Sequence, residues 1–180
     1  MNAKMTWVRL FLMGVIVAAF SACSESDPPT PPPPPEEVKT PTFKLGIILP
    51  EDIPLLTDIT VTYVDTEGVK HTEVIAGTSW SKTITGTTLP SKAGYRVQLT
   101  RKPNLSFDKE AYTVGAVGMN NTVLLGSDVL DASYFSGSLS INKSKIEAYL
   151  QEACGKATTL VYEIKADGTL NRDATINWGD

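Results

Sequence analysis

The chain of 180 residues has one histidine and two cysteines, and this scarcity limits its chemistry. A lone imidazole, His71, leaves a histidine triad only one possible base and excludes sites that need two imidazole ligands. It stands between Lys70 and Thr72, as expected for an exposed strand residue rather than a catalytic base. No nucleophile elbow, phosphate-binding glycine loop or zinc-ligand spacing occurs. Basic residues number 16 against 20 acidic ones, and they form no cluster beyond Arg101-Lys102. The electrostatic footprint that would neutralise a phosphate backbone is therefore missing, and nucleic acid is not an expected partner. No repeat recurs at a fixed period. The apolar run Leu10 to Phe20 covers 11 residues, too few to cross about 30 Å of hydrocarbon.

What the first residues do contain is an export signal. Lys4 and Arg9 precede that apolar run, which ends in Phe20-Ser21-Ala22-Cys23. A conventional signal-peptidase cut after Ala22 would place bulky Phe20 where a small residue is needed, so cleavage before Cys23 fits better. Residues 1–22 are read as the signal peptide and Cys23 as the lipidated first residue of the mature chain. With palmitate-type acyl chains on that cysteine the protein is anchored to a membrane, each buried methylene contributing about 0.8 kcal/mol.

Phe20-Ser21-Ala22-Cys23 resembles a bacterial lipobox, with Phe20 in the place usually held by leucine. Ser24, Glu25, Ser26 and Asp27 follow, and this acidic stretch is similar to that of Bacteroidetes-type surface lipoproteins. The resemblance covers only the leader and linker. It implies placement in the outer membrane with display at the cell surface, the periplasmic face being the alternative; it implies nothing about chemistry.

Residues 23–42 form the tether. Pro28, Pro29, Pro31 to Pro35 and Pro41 favour extended polyproline backbone. From Ser24 to Thr42 this proline-rich linker reaches roughly 60 Å when fully extended, enough to lift a small domain clear of lipid headgroups. With Cys23 lipidated, Cys154 has no partner for a disulfide and reads as a small apolar side chain rather than a reactive thiol.

Residues 43–180 are of a size for one domain with a real core. Phe43, Leu45, Ile47 and Leu49 alternate with other residues as in a strand with one buried face, and Pro50 and Pro54 stop it. Ile59, Val61 and Tyr63 alternate likewise and lead into a hairpin. A two-residue Glu67-Gly68 loop would set Val61 opposite Val74 and Tyr63 opposite Thr72. Ser79 to Thr85 and Gly94 to Thr100 read as further strands, and Lys102 to Lys109 as loop. Ala111 to Val117 and Thr122 to Leu125 read as a pair around Asn120-Asn121.

Ile146, Tyr149, Leu150 and Ala153 then recur at helical spacing, which predicts an amphipathic helix from Lys143 to Cys154, capped by Asn142 and Gly155 and laid against a sheet. At the end of the chain, a three-residue Ala166-Asp167-Gly168 loop pairs Ile164 with Leu170 and Leu160 with Ala174. About eight short strands with one late helix predict a mainly β fold, an antiparallel β-sandwich of immunoglobulin-like or transthyretin-like type with one short α-helix.

For function the sequence offers rings rather than catalytic groups. A sugar stacks its apolar face on an indole or phenol, and Trp80, Tyr134 and Phe135 are the candidate ligand contacts, with Trp178 also of interest. Tyr134-Phe135 is expected in a loop among serines. Asp128 and Asp131 lack the pattern of a calcium loop and read as a turn between strand and helix. No catalytic residue, metal site or cofactor is expected. The expected role is a non-catalytic binding or adhesion module for a glycan, a host protein or an envelope partner. The alternatives are a structural or assembly subunit that accepts another chain's strand at a sheet edge, and a hydrolase built on two carboxylates.

Overall fold

The computed structural model describes Lys39 to Gly179. The expected signal peptide, the expected lipidated Cys23 and the expected tether as far as Val38 lie outside the described residues.

The alternating apolar run forms β1 (Pro41–Ile48), which begins inside the proline-rich stretch because Pro41 opens the strand. Phe43, Leu45 and Ile47 are buried on one face. A short helix, α1 (Ile53–Leu56), follows, with Pro54 in its first turn where a missing N–H costs nothing. The prolines thus stop the strand as expected, and they also start a helix turn that buries Ile53 and Leu56. Next come β2 (Thr57–Val64), β3 (Lys70–Ile75), β4 (Ser79–Thr85) and β5 (Ser91–Arg101).

The hairpin between β2 and β3 differs from the sequence expectation. Val61 lies opposite Glu73 and Tyr63 opposite His71, one residue from the expected register. The Asp65 N–H donates to the Val69 carbonyl and the Gly68 N–H to the Asp65 carbonyl, closing a three-residue loop with Gly68 at φ 82°. The Asp65 carboxylate also accepts from the Glu67 and Val69 amides at 3.0 and 2.9 Å. This turn chemistry, rather than apolar matching, sets the register, because β3 is an edge strand whose partners need not be apolar.

The middle of the chain also pairs differently. β6 (Ala111–Val114) and β7 (Gly118–Leu125) are both strands, but Asn120-Asn121 lies within β7 and the two do not form a hairpin. β7 instead pairs with β1 and with β8 (Asp128–Phe135), while β6 pairs with β9 (Leu139–Asn142). The helix α2 (Lys143–Cys154) then occupies the expected residues. Asn142 stands at its N-cap without a side-chain capping bond, and Gly155 ends it at φ −78°, so neither caps in the expected way. The Gln98 side chain closes the far end by donating to the Cys154 carbonyl at 3.1 Å. β10 (Thr158–Ile164) and β11 (Leu170–Asn171) finish the order, with Ile164 opposite Leu170 as predicted. β11 stops at Asn171, so Leu160 does not pair with Ala174.

These strands make an antiparallel β-sandwich. One sheet has the order β4-β1-β7-β8, the other β11-β10-β5-β2-β3, and β6-β9 forms a separate ribbon. Phe43, Leu45, Trp80 and Val123 from the first sheet share one core with Val61, Tyr95, Val97 and Tyr162 from the second. The apolar stripe of α2 joins that core through fully buried Ile146 and Leu150. At ~25 cal/mol per Å2 of apolar surface, this burial is the main term favouring the fold.

Candidate functional site

The two sheets end in two open margins with different chemistry. At one margin β3 and β4 face each other across the core's rim, joined by Glu73. Its carboxylate accepts from Trp80 Nε1 at 2.7 Å and from Lys82 Nζ at 3.0 Å. The Trp80 bond, followed by the Lys82 bond, holds the Glu73 carboxyl below its ordinary value. Lys82 lies 4.8 Å above the Tyr63 ring, on which His71 stacks at 4.7 Å. His71 Nε2 is 2.8 Å from Asp65, and no side-chain hydroxyl or thiol bonds the imidazole among the described residues. Burial pushes the Asp65 carboxyl up, but the His71 bond and two loop amides outweigh it, leaving the group below its usual range. This margin is a polar clasp. Its inward-pointing charges also discourage another strand from adding to the edge.

The sequence candidate Trp80 is part of that clasp. Placed opposite Ile47 on β4, it points inward, is 7% exposed, and packs against Tyr63 and Tyr95 at 5.7 and 5.9 Å. Its faces are covered, so it is removed as a ligand contact. Trp178 is half-buried.

The opposite margin presents rings. β8 follows a tight turn at Gly126, which has φ 62°. It carries a bulge, since Val123 pairs with Asp131 but Leu124 with Val129. Asp128 and Asp131 therefore lie on a strand rather than in a turn before a helix, the bulge having broken the alternation that would have revealed it. Asp131 points inward and is buried, held by Arg172 at 2.6 Å and by the Ser133 hydroxyl, which is also near the Tyr162 hydroxyl. Burial pushes Tyr162 up to about 12. Asp128 pairs with Lys39 at 2.5 Å.

Tyr134 and Phe135 end β8 instead of occupying a loop, and they are 69% and 49% exposed. Four of the seven large apolar side chains exposed on the described residues lie between 129 and 139: Val129, Tyr134, Phe135 and Leu139. Leu139 was not recognised from the sequence, where it sits in a serine-rich segment without a periodic partner. Beyond the strand, a hollow of about 260 Å3 is lined by Leu49, Pro50 and Gly137 among others. A second hollow of about 400 Å3 lies between α2 and the β6–β7 connection, with Val117, Leu139 and Tyr149 in its wall. The Tyr149 hydroxyl donates to the Gly115 carbonyl at 2.6 Å and fixes that wall. Cys154 is half-buried, and burial pushes its thiol above the ordinary value.

The arrangement can hold a partner by ring stacking and apolar contact. Among the described residues, no group of three side chains is placed to ligate a metal, and no helix is long and apolar enough to cross a membrane. The fold and this margin define a class, an antiparallel β-sandwich with an aromatic edge. Compared with protein-family profiles and with curated proteins, the chain matches none.

Proposed function

We propose that the protein is an exported lipoprotein, anchored in the bacterial outer membrane through acylated Cys23, whose sandwich is a non-catalytic binding or adhesion module. The candidate contact residues are the exposed Tyr134 and Phe135 at the end of β8 and Leu139 at the start of β9. The observation that carries this reading is that four of the seven large apolar side chains exposed on the described residues fall in one short segment, 129–139. Exposed apolar side chains favour burial against a partner. The proline tether supports the reading, because a stiff spacer serves a domain that must meet something away from its own membrane. The bulge and inward Asp131 make β8 a poor template for strand addition, so contact through side chains is favoured over assembly through a shared sheet.

The test joins two measurements. Mass spectrometry of the mature protein should give an acylated N-terminal Cys23. The full chain, purified in detergent, should give a saturable signal on arrays of glycans and envelope or host proteins, weakened at least fivefold by Phe135→Ser. A chain that starts elsewhere without acyl mass, or an array silent for the intact protein, would overturn the proposal.

A further inference from the structure

The outward face of the first sheet has an unusual composition. Its strand positions, set by the registers of β4, β1, β7 and β8, are Ser79, Ser81, Thr83 and Thr85; Thr42, Lys44, Gly46 and Ile48; Gly118, Asn120, Thr122 and Leu124; and Val129, Ala132 and Tyr134. Hydroxyls and an amide dominate. Lys44 is the only charged residue among these positions, in a chain where 20% of residues are charged and acids outnumber bases. It is exposed, flanked by Thr83 and Thr122, and has no carboxylate partner among the described residues.

The registers also order these positions in rows across the sheet. Gly46 is glycine because a side chain there would meet the Asn120 carbonyl oxygen at 2.8 Å. The Asn120 backbone fills that space and Gly46 is buried, so the strands approach closely between Asn120 on one side and Ser81 on the other. A row runs across the sheet from the exposed Tyr134 ring through Asn120 and Gly46 to Ser81, with Lys44 in the neighbouring row on the same face.

We infer that this face binds a glycan strand carrying carboxylate groups, laid across the four strands, with one sugar stacked on Tyr134 and a carboxylate at Lys44. The inference rests on the binding-module reading and names its partner's class. Hydroxyls and amides exchange hydrogen bonds with sugar hydroxyls without the desolvation cost of charged side chains. The aromatic face accepts the apolar side of a pyranose. The unpaired cation on an otherwise uncharged face complements an acidic rather than a neutral chain.

The experiment titrates the full chain in detergent with polygalacturonate, and with dextran as a neutral polymer, by calorimetry. The acidic polymer should bind and weaken as salt rises through the range where the screening length falls below ~10 Å. Lys44→Gln should reduce its affinity about fivefold and remove most of the salt dependence. Tyr134→Ala should reduce it about tenfold. Val74→Ser, on the far edge of the other sheet, should leave it unchanged. All three positions are exposed, so unaltered circular dichroism of each variant keeps the comparison interpretable. Absence of polygalacturonate binding, equal binding of dextran, or indifference to Lys44→Gln overturns the inference. If an array partner is still captured and weakened by Phe135→Ser, the binding-module reading stands without it; if none is captured, both fall.

Discussion

Asn121 Oδ1 accepts a hydrogen bond from the Gly46 amide at 2.9 Å, standing in for a backbone acceptor where the β1–β7 ladder is interrupted between Lys44↔Thr122 and Ile47↔Met119. The same side chain donates from Nδ2 to the Tyr95 hydroxyl at 3.5 Å, and that hydroxyl donates to the Gly46 carbonyl at 3.5 Å. Asn121 and Tyr95 are each 1% exposed, so a polar pin crosses the apolar core from one sheet to the other. Buried polar groups are costly to leave unpaired and modest in net gain when paired.

The two substitutions that break this pin should therefore differ. Asn121→Ala strands a buried amide N–H that had a well-formed bond, and should cost about 1–3 kcal/mol. Tyr95→Phe removes a hydroxyl whose contacts are both long, and should cost about 0.5–1 kcal/mol. Urea unfolding of each variant at neutral pH measures the order. A larger loss for Tyr95→Phe would show that the inter-sheet contacts, not the Gly46 bond, give the pin its value.

Asp52 supplies a pH dependence. Its side chain is 4% exposed, its Oδ1 lies 2.5 Å from Lys109 Nζ, and its Oδ2 accepts from the Thr113 amide at 2.7 Å. Burial pushes this carboxyl up, but the Lys109 bond and the Thr113 amide together outweigh it, and the group sits below its ordinary value. A carboxyl whose folded value is depressed contributes stability that is present above its unfolded value, about 3.9, and is lost as pH falls through the folded one. The wild-type protein should keep its urea midpoint from pH 7 to 5 and lose it below about pH 4. Asp52→Asn should be weaker at pH 7 by about 1–3 kcal/mol and lose less than wild type on further acidification. Parallel acid slopes for the two proteins would remove Asp52 from the account.

How far the sequence disclosed this architecture depended on whether local and long-range rules agreed. β1 and β2 were legible because one face of each is buried and the alternation survives. α2 was legible from Ile146 to Ala153 because its stripe meets the core, whereas its caps were not, since Gln98 from a distant strand does the work assigned to Gly155. β8 was hidden because a bulge at Leu130 shifts the alternation by one residue. Tyr134 and Phe135 could be named as candidates from residue type alone, but the exposure of Leu139 and the burial of Trp80 are decided only by the fold. The sequence contains the rings; only the pairing of strands decides which are covered.

Two turns share one design and offer the sharpest comparison. Gly68 and Gly168 stand at φ 82° and 81°, each closing a three-residue loop through the same pair of backbone bonds. The second loop was anticipated from its flanking apolar residues, and the first was not. Alanine in the left-handed region costs about 1–2 kcal/mol from backbone sterics alone. At Gly68 nothing lies within 4 Å of the added methyl, so Gly68→Ala should cost about that amount, with Gly68→Asn recovering part of it. At Gly168 the methyl meets Leu125 Cδ2 at 3.2 Å, inside the contact distance of two carbons. Leu125 is itself 8% exposed and packed in the core, with little room to retreat. Gly168→Ala should therefore exceed Gly68→Ala by about 1 kcal/mol, the lower end of the cost of overpacking. Urea unfolding of both variants, with Leu125→Ala added to each, separates the causes: in the Leu125→Ala background the two alanine costs should converge. If they remain apart, the difference lies in the backbone of the loops and not in the contact with Leu125.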